Sequence, residues 1–284
     1  MLTIAIQKSG RLNQQSVQLL KDCGISFLNG DKSKLKTKAT NFPLQIIFLR
    51  DDDIPESVAD FAADVGIVGE NEFMERNKSL SIVKRLGFAK CRLSIAVPKQ
   101  MEYESISDLS GRSIATSYPS ILTNYLKKQN VDAQVHLING SVEIAPGIGM
   151  ADAIMDIVST GSTLLSNGLK EVETIMTSEA LLIANPGLTA EKKQILDKLL
   201  FRIQAVLKAG NSKYILLNAR NDKIDEICNI LPGMKSPTIM PLREQGWSSM
   251  HSVIAEDEFW ERIEQLKAAG AQGILVFPIE KMIL

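Results

Sequence analysis

The sequence predicts an α/β protein in which two lobes enclose a cleft and a small α+β domain follows. Over the first two thirds of the chain, short β-branched runs alternate with amphipathic stretches, which is typical of parallel sheets covered by helices. The alternation breaks near Leu93, and this break favours two lobes over one continuous sheet. The residues after 210 follow the order β-α-β-β-α-β, the pattern of a ferredoxin-like domain.

The first lobe is predicted from a repeated pattern of a strand followed by a helix. Gly24 ends the first helix, and Pro55 stands in the first turn of the second. The predicted strands are 3–6, 45–49 and 64–69, and the predicted helices are 12–23 and 53–63.

The second lobe begins after the break. Its predicted strands are 93–97, 112–116, 135–138 and 152–158, with a helix at 119–128. The phrase ISDLSGRSIA at 106–115 resembles the start of the second half of bilobal binding-protein folds, which hold ligands between their lobes. We therefore predict two binding-protein-like lobes with a cleft, an analogy that concerns the fold and fixes no chemistry.

The C-terminal domain follows a long helix at 189–208, whose apolar residues fall on one face. Its predicted strands are 214–217, 238–240, 250–254 and 273–277, and its predicted helices are 224–231 and 259–266. It shows no cluster of catalytic side chains, so we expect a regulatory or assembly role. The predicted boundaries are 1–90 with 181–210 for lobe I, 91–180 for lobe II, and 211–284 for the ferredoxin-like domain.

Composition excludes several classes of protein. Hydrophobic residues make up 45% and charged residues 23% of the 284 residues, which argues against disorder. The formal net charge of −1 provides no overall basic surface for nucleic acid, and no apolar run is long enough for a membrane span. The apolar N-terminal stretch is too short for a secretion signal, so we expect a cytoplasmic protein. Three distant cysteines predict no disulfide framework, and two histidines exclude a three-His zinc site.

The segment DAIMDIVSTGSTL at 152–164 carries the strongest chemical signal. Because side chains alternate along a strand, Asp152 and Asp156 are predicted on one face. The next residues turn into a helix, whose first N–H groups suit a phosphate, and Gly161 permits close approach of the backbone. Two carboxylates beside such a cradle suit a ribose 5-phosphate. The alternative is an ordinary Ser/Thr helix cap after a strand that carries two solvated acids.

This segment and several others, in order along the chain, resemble the long-form ATP phosphoribosyltransferases, the first enzymes of histidine biosynthesis. The resemblance covers essentially the whole chain. Its other matching pieces are QKSGRL at 7–12, RDDDIP at 50–55, DVGIVGEN at 64–71, CRLS at 91–94, IATSYP at 114–119, NGSVE at 139–143 and PIEKM at 278–282. Each piece alone is weak evidence, whereas the ordered set is specific.

The resemblance implies a glycosyltransferase that joins N1 of the ATP adenine to C1 of 5-phosphoribosyl 1-pyrophosphate (PRPP) and releases pyrophosphate. It also implies Mg²⁺ as cofactor, L-histidine as feedback inhibitor, and a homodimer that can assemble to a hexamer. Adenine N1 is mostly unprotonated at neutral pH and needs no enzyme nucleophile, so catalysis rests on positioning and charge stabilisation. The pyrophosphate and sugar oxygens are expected to hold Mg²⁺, with few protein ligands.

The resemblance and the strand-end positions together predict the site residues. Catalytic roles are expected for Asp152, Asp156, Lys8 and Arg11. The PRPP phosphate is expected on Ser159, Thr160, Gly161, Ser162 and Thr163. ATP or pyrophosphate is expected on Gln7, Arg50, Glu70, Arg92 and Tyr118. L-Histidine is expected on Asn218 and Thr238, between neighbouring small domains.

Alternatives stay open at several of these positions. For Lys8 and Arg11 the alternative is a solvated surface charge, and for Arg92 it is a structural salt bridge. Tyr118 has an alternative role in packing between the lobes, and Asn218 and Thr238 in turn hydrogen bonding. Cys91 is expected to pack at the hinge rather than act as a nucleophile.

Two other functions are compatible with the predicted fold. Prephenate dehydratases also combine binding-protein-like lobes with a ferredoxin-like domain, but their signature motifs are not evident and they need no phosphate cradle. A non-enzymatic sensor or solute-binding protein would share the lobes, although no secretion signal is evident at the N-terminus.

Overall fold

The computed structural model describes residues 1–27, 35–231 and 233–283. Within them the chain divides into two compact units, Met1–Lys21 with Ile25–Leu196 and Asp22–Gly24 with Asp197–Leu284. The first unit contains a six-stranded and a five-stranded sheet, and the second a four-stranded sheet. The long helix α6, Ala190–Gly210, contributes residues to both units.

The six-stranded sheet forms lobe I. Its strands are β1 (Leu2–Gln7), β2 (Lys36–Lys38), β3 (Leu44–Leu49), β4 (Val65–Gly69), β5 (Ser81–Arg85) and β11 (Ala180–Ala184). Its helices are α1 (Arg11–Asp22), α2 (Ile54–Ala59) and α3 (Glu70–Arg76). The strand order is β2-β3-β1-β4-β11-β5, and β3, β1 and β4 run parallel. The carboxyl ends of these three strands therefore share one edge of the sheet, where a parallel sheet places its ligands.

The five-stranded sheet forms lobe II. Its strands are β6 (Cys91–Pro98), β7 (Ser113–Thr116), β8 (Gln134–Leu137), β9 (Ala153–Val158) and β10 (Leu169–Ser178), in the order β10-β6-β9-β7-β8. Its helices are α4 (Pro119–Gln129) and α5 (Ser162–Ser166). The strands β8, β7 and β9 run parallel. Leu93, Ile114, Leu122 and Met155 are fully buried in its core, because both faces of the sheet are covered.

The four-stranded sheet confirms the predicted ferredoxin-like order. It contains β12 (Ser212–Arg220), β13 (Thr238–Pro241), β14 (Trp247–Ala255) and β15 (Gln272–Pro278), with helices α7 (Ile224–Ile230) and α8 (Glu256–Ala268). Neighbouring strands are antiparallel. One face packs against the two helices through Ile215, Leu217 and Leu266. The other face is open, and Tyr214 and Phe277 are exposed there.

Several elements differ from the sequence prediction. The strands β2, β5, β10 and β11 and the helix α3 were not predicted. The sequence of β11, ALLIA, is a short unbroken apolar run, and periodicity cannot separate such a strand from a buried helical turn. The helix predicted to reach residue 63 ends at Ala59 because Phe61 adopts a left-handed backbone, with φ of 59°. Across the described ranges, no helix combines the length and apolar character of a membrane span.

Candidate active site

Within the first unit, a hydrogen bond joins the carboxyl edges of the parallel strands in the two sheets. Asn71, just after β4, donates through Nδ2 to the hydroxyl oxygen of Tyr118, just after β7, at 3.1 Å. Both residues are buried, so the contact joins the lobes at the base of the space between the edges. Ligands of open α/β sheets bind at carboxyl ends, and this space, the cleft, is therefore the candidate active site.

The lobe I edge presents three cationic side chains. Lys8 and Arg11 lie on the turn between β1 and α1, and Arg50 follows β3. Lys8 donates its amide to the Leu49 carbonyl at 2.7 Å, which fixes the two strand ends together. The turn requires Gly10, whose φ is 92°. The described residues form no ion pair with these three exposed cations, which leaves them available to an anionic ligand.

Two further groups of this edge are already engaged. The Gln7 carbonyl accepts a hydrogen bond from Asn13 Nδ2 at 2.6 Å, so the backbone of Gln7 anchors α1. Glu70 forms a two-bond ion pair with Arg85, in which Nη1 lies 2.7 Å from Oε2. Arg85 also pairs with Glu179 at 3.2 Å. The predicted contact of Glu70 with ATP would therefore share its carboxylate with Arg85.

Cys91 is the first residue of β6, at the start of lobe II. Burial raises the pKa of its thiol, and the hydrogen bond to Ser178 and the charge of Arg11 lower that pKa by less. The net result is a raised pKa, which keeps the thiol protonated and makes Cys91 a poor nucleophile.

The lobe II edge contains a loop that we call the cradle loop, Ser159–Thr163. It connects β9 to α5, and Gly161 turns it with a φ of 80°. The hydroxyls of Thr160 and Ser162 lie 3.1 Å apart and point to a common region. The first N–H groups of a helix have no acceptor within it. The loop therefore concentrates hydrogen-bond donors at one strand end.

Arg92 supports the cradle loop from the neighbouring strand. Its Nη1 donates to the Ser159 carbonyl at 3.1 Å. Its Nε and Nη2 each bind one oxygen of Glu171 at 2.5 Å. The guanidinium is thus committed to contacts within lobe II, and the structural salt bridge, one of the two open interpretations of Arg92, is present.

The structure separates the two aspartates predicted to act together. Asp156 lies in β9, three residues before Ser159 of the cradle loop, and burial raises the pKa of its carboxyl, with Glu143 adding to the effect. Asp152 lies before the start of β9, four residues away, a span of about 13 Å along a strand. Its carboxylate accepts hydrogen bonds from the amide and hydroxyl of Ser113, both at 2.8 Å, which lower its pKa. Asp152 therefore stabilises the opposite end of the sheet, while Asp156 lies near the carboxyl end of β9.

Tyr118 is positioned as a structural residue between the lobes. Only 6% of its surface is exposed, and burial raises the pKa of its phenol. Its hydroxyl accepts from Asn71, and its amide donates to Thr116 Oγ1 at 2.9 Å. The ring of Tyr118 therefore has little exposed surface on which a base could stack, although such stacking was predicted.

The sequence analysis missed three residues of α3 that face the cleft: Asn71, Glu72 and Glu75. Glu75 Oε1 and Oε2 accept from the amides of Ser120 and Ile121 at 2.9 and 3.0 Å. Glu72 is nearly buried, with burial raising its pKa to about 7 and Asp51 adding to the effect. The spacing of Glu72 and Glu75 is helical, but α3 was not predicted, so no face could be assigned.

The predicted histidine contacts lie on the open face of the small sheet. Asn218 of β12 is opposite Ser249, and Thr238 of β13 is opposite His251. One strand, β14, lies between them, so they are two strand spacings apart, about 10 Å across the sheet. His251 lies between them and hydrogen bonds through Nδ1 to the Tyr214 hydroxyl at 2.8 Å. Within one chain, Asn218 and Thr238 share a face without touching.

Comparisons with known proteins identify the family. A family model described as ATP phosphoribosyltransferase matches residues 50–205, and a second, described as the HisG C-terminal domain, matches residues 209–281. The chain belongs to the ATP phosphoribosyltransferase family. An ATP phosphoribosyltransferase of Cytophaga hutchinsonii is 59% identical, covering 99% of this chain and 98% of that protein. One of Bacteroides fragilis is 58% identical over the full length of both.

Solved structures agree with this assignment. A chain of the ATP phosphoribosyl transferase (HisG:HisZ) complex from Thermotoga maritima has a TM-score of 0.61 and 26% identity, and covers 72% of this chain and 99% of its own. The substrate binding protein of an amino acid ABC transporter has a TM-score of 0.50 and 14% identity, covering 74% and 94%, and shows the fold alone. The predicted binding-protein-like fold and the predicted ATP phosphoribosyltransferase family are confirmed, and neither alternative is supported.

Proposed function

We propose that this transferase condenses ATP with PRPP to give N1-(5-phosphoribosyl)-ATP and pyrophosphate, the first committed step of L-histidine biosynthesis. The observation that carries the proposal is the full-length similarity, near 58% identity, to proteins named ATP phosphoribosyltransferase. The cleft supports it, because one edge supplies free cations and the other a loop rich in donors.

The cradle loop would hold the 5-phosphate of PRPP. Its hydroxyls, the unpaired amides at the start of α5 and the left-handed Gly161 supply donors with no side chain in the way. Arg92 would act through the loop by fixing the Ser159 carbonyl, rather than through direct contact with pyrophosphate.

Asp156 would face the ribose. The described residues include no cation paired with it, so its charge can stabilise positive charge that develops at C1 as the bond to pyrophosphate loosens. Asp152, bonded to Ser113 at the far end of β9, has no part in this arrangement.

The three exposed cations of lobe I, Lys8, Arg11 and Arg50, would bind the pyrophosphate of PRPP and the phosphates of ATP. Gln7 would position them through its anchoring of α1, and Glu70 would contact ATP from beside Arg85. Because the adenine N1 lone pair itself attacks C1, the chain needs only to align the two substrates and stabilise the leaving pyrophosphate.

Mg²⁺ would share the charge of the leaving pyrophosphate. In the described part of the chain, no three His, Cys, Asp or Glu side chains converge to form a metal cage. That fits a cation held mainly by phosphate oxygens and water, which requires only one or two carboxylates. Asp51 and Asp53, at the lobe I edge next to Arg50, would serve as such carboxylates through water.

The C-terminal domain would bind L-histidine on its open sheet face, with Asn218 and Thr238 contributed by neighbouring copies of the domain. Their separation within one chain supports a site shared between chains. The exposed apolar residues of the same face support assembly of a homodimer into a hexamer. We place the enzyme in the cytoplasm, with its substrates.

The proposal is tested by pyrophosphate release from the purified protein with ATP, PRPP and Mg²⁺, measured with and without L-histidine. We expect release that requires both substrates and falls with L-histidine. Release from PRPP alone, or none with both substrates, would refute the transferase assignment. Release that L-histidine leaves unchanged would refute only the regulatory part.

A further inference from the structure

The two lobes are joined at the cleft by a contact between α3 and the start of α4, which we call the α3–α4 contact. Glu75 of α3 accepts from the amides of Ser120 and Ile121 at 2.9 and 3.0 Å. Asn71 donates to Tyr118 at 3.1 Å. Both hydrogen bonds of Glu75 therefore cross from lobe I to lobe II.

Glu75 caps the N-terminus of α4, a role that the N-cap residue of the helix itself usually has. The N-cap residue of α4, Tyr118, makes no capping hydrogen bond with its side chain. The free amides of the first turn are instead satisfied by a carboxylate from the other lobe, whose charge also suits the positive end of the helix dipole. Separation of the lobes would leave these amides without a protein partner.

Asn71 links the same contact to the segment where the chain returns from lobe II to lobe I. Asn71 Oδ1 accepts from Ser178 Oγ at 2.9 Å, and the backbone N–H of Asn71 donates to the same hydroxyl at 3.1 Å. Ser178 ends β10, and Ala180 begins β11 in the other sheet. Asn71, Tyr118 and Ser178 are all more than 90% buried, so the network excludes water from this point.

We propose that Glu75 and Asn71 are positioning residues, which set the spacing of the two lobes at which the ATP and PRPP sites face each other. This inference rests on the proposed function, because it assigns the two substrates to opposite edges of the cleft. Neither residue needs to touch a substrate. Their effect is on the step that requires both lobes together, since small misplacements of reacting groups strongly lower the rate.

The test compares Glu75→Ala and Glu75→Gln in the full-length protein with Glu102→Ala, a change at an exposed glutamate of lobe II that makes no described ion pair. Hydrogen exchange of the peptide spanning 118–126 and the radius of gyration from small-angle scattering report the contact and lobe spacing without catalysis. We expect faster exchange and a larger radius in Glu75→Ala, a smaller change in Glu75→Gln because one amide oxygen can still accept, and no change in Glu102→Ala.

Kinetics then separate positioning from binding. We expect kcat of Glu75→Ala to fall at least tenfold while its Kd for PRPP, measured by calorimetry without ATP, stays within twofold. Asn71→Ala should show the same split, and serves if Glu75→Ala is unfolded by circular dichroism. A fall in kcat with unchanged exchange and radius, or opened lobes with normal kcat, would overturn the proposal. A wild-type protein without transferase activity would refute the proposed function while the exchange result still tests the contact.

Discussion

Arg92 and Glu171 form a two-bond ion pair across β6 and β10, and the same guanidinium donates to the carbonyl of Ser159 at 3.1 Å. Planar guanidinium groups match carboxylates with fixed geometry, so the pair sets the direction of the remaining N–H. The consequence is that the first residue of the cradle loop is fixed by a side chain of a neighbouring strand.

Replacement of Arg92 by lysine should therefore loosen the cradle loop. Lysine keeps the charge but cannot bind Glu171 and Ser159 at once, because it lacks the planar fork. We expect the KM for PRPP to rise about tenfold, equivalent to about 1.4 kcal/mol and within the usual range for a lost charged hydrogen bond. The KM for ATP should change less than twofold.

Arg220→Lys provides the control, because Arg220 also pairs with a carboxylate, that of Asp222, but lies in the C-terminal domain. Steady-state kinetics with each substrate varied in turn measure both constants. Equal increases in both KM values for Arg92→Lys would indicate that Arg92 does not act through the cradle loop.

Gly161 should be needed for phosphate binding rather than for folding. Its φ of 80° disfavours any other residue, and an added Cβ would meet only Val158 Cγ1, at 3.9 Å. We expect Gly161→Val to raise the KM for PRPP much more than that for ATP, because the side chain would occupy the approach to the loop backbone.

Gly111→Val is the control, since Gly111 has a φ of 74° and open space around it. Both variants should lose about 1–2 kcal/mol of stability from backbone strain. A PRPP defect of equal size in both would exclude a specific role for Gly161.

The contrast between Asp156 and Asp152 yields a paired prediction. Asp156→Asn keeps the shape of the side chain and removes the charge that we propose stabilises the ribose, so kcat/KM should fall about 100-fold, or ~3 kcal/mol. Asp152→Asn should leave kcat/KM within about threefold and lower stability by about 1 kcal/mol, because it weakens the two hydrogen bonds to Ser113. Thermal unfolding and pyrophosphate release measure the two effects. The roles assigned here would be reversed if Asp152→Asn were inactive and Asp156→Asn normal.

The comparison of sequence with structure explains why the two aspartates were grouped. Period-two alternation places Asp152 and Asp156 on one face of an ideal strand. Alternation gives the direction in which each side chain points, but it does not give the end of the sheet at which each residue lies. The strand begins at Ala153, so Asp152 belongs to the amino end, and only the three-dimensional pairing with Ser113 shows its use.

Elements with a strong local pattern were predictable and those defined by distant partners were not. The four strands and two helices of the C-terminal domain have clear apolar periodicity and glycine or proline ends, and their order is as predicted. The strand β11 lies in the lobe I sheet between β4 and β5, although it follows β10 of the other sheet in the chain. Glu75 could not be found from sequence because the amides it caps are 45 and 46 residues away.

Glu72 predicts a dependence of stability on pH. Its pKa of about 7 in the folded protein lies above its ordinary value of 4.5, because burial and Asp51 disfavour the charged form. Between these values the folded state holds a proton that the unfolded state releases. Stability should therefore fall as pH rises from about 4.5 to 7, by on the order of 3 kcal/mol in total. Glu72→Gln removes the titrating group. The free energy of unfolding of this variant, relative to that of the wild type, should therefore be least favourable at pH 5 and most favourable at pH 8.

Urea unfolding at pH 5, 6, 7 and 8 measures this difference. Glu102→Gln, an exposed site, controls for the general effect of one less carboxylate. Parallel stability profiles for the wild type and Glu72→Gln across this range would show that Glu72 does not titrate near neutrality in the folded protein.

The last prediction concerns the open face of the C-terminal sheet, where inhibition by L-histidine is proposed to originate. Allosteric inhibition requires that the inhibitor bind two states of the enzyme with different affinities, usually by 1–3 kcal/mol. Asn218→Ala and Thr238→Ala should each raise the concentration of L-histidine needed for half-inhibition at least about fivefold, the lower end of that range. Uninhibited kcat should stay within twofold, because neither residue lies in the unit that contains the cleft.

Ser236→Ala, two residues before Thr238 and also exposed, should behave as the wild type. If a site shared between chains requires both residues, either change alone already removes the shared contact. The double variant should then need about the same L-histidine concentration for half-inhibition as the more affected single variant. Normal inhibition in both single variants would exclude this face and direct the search to the lobes.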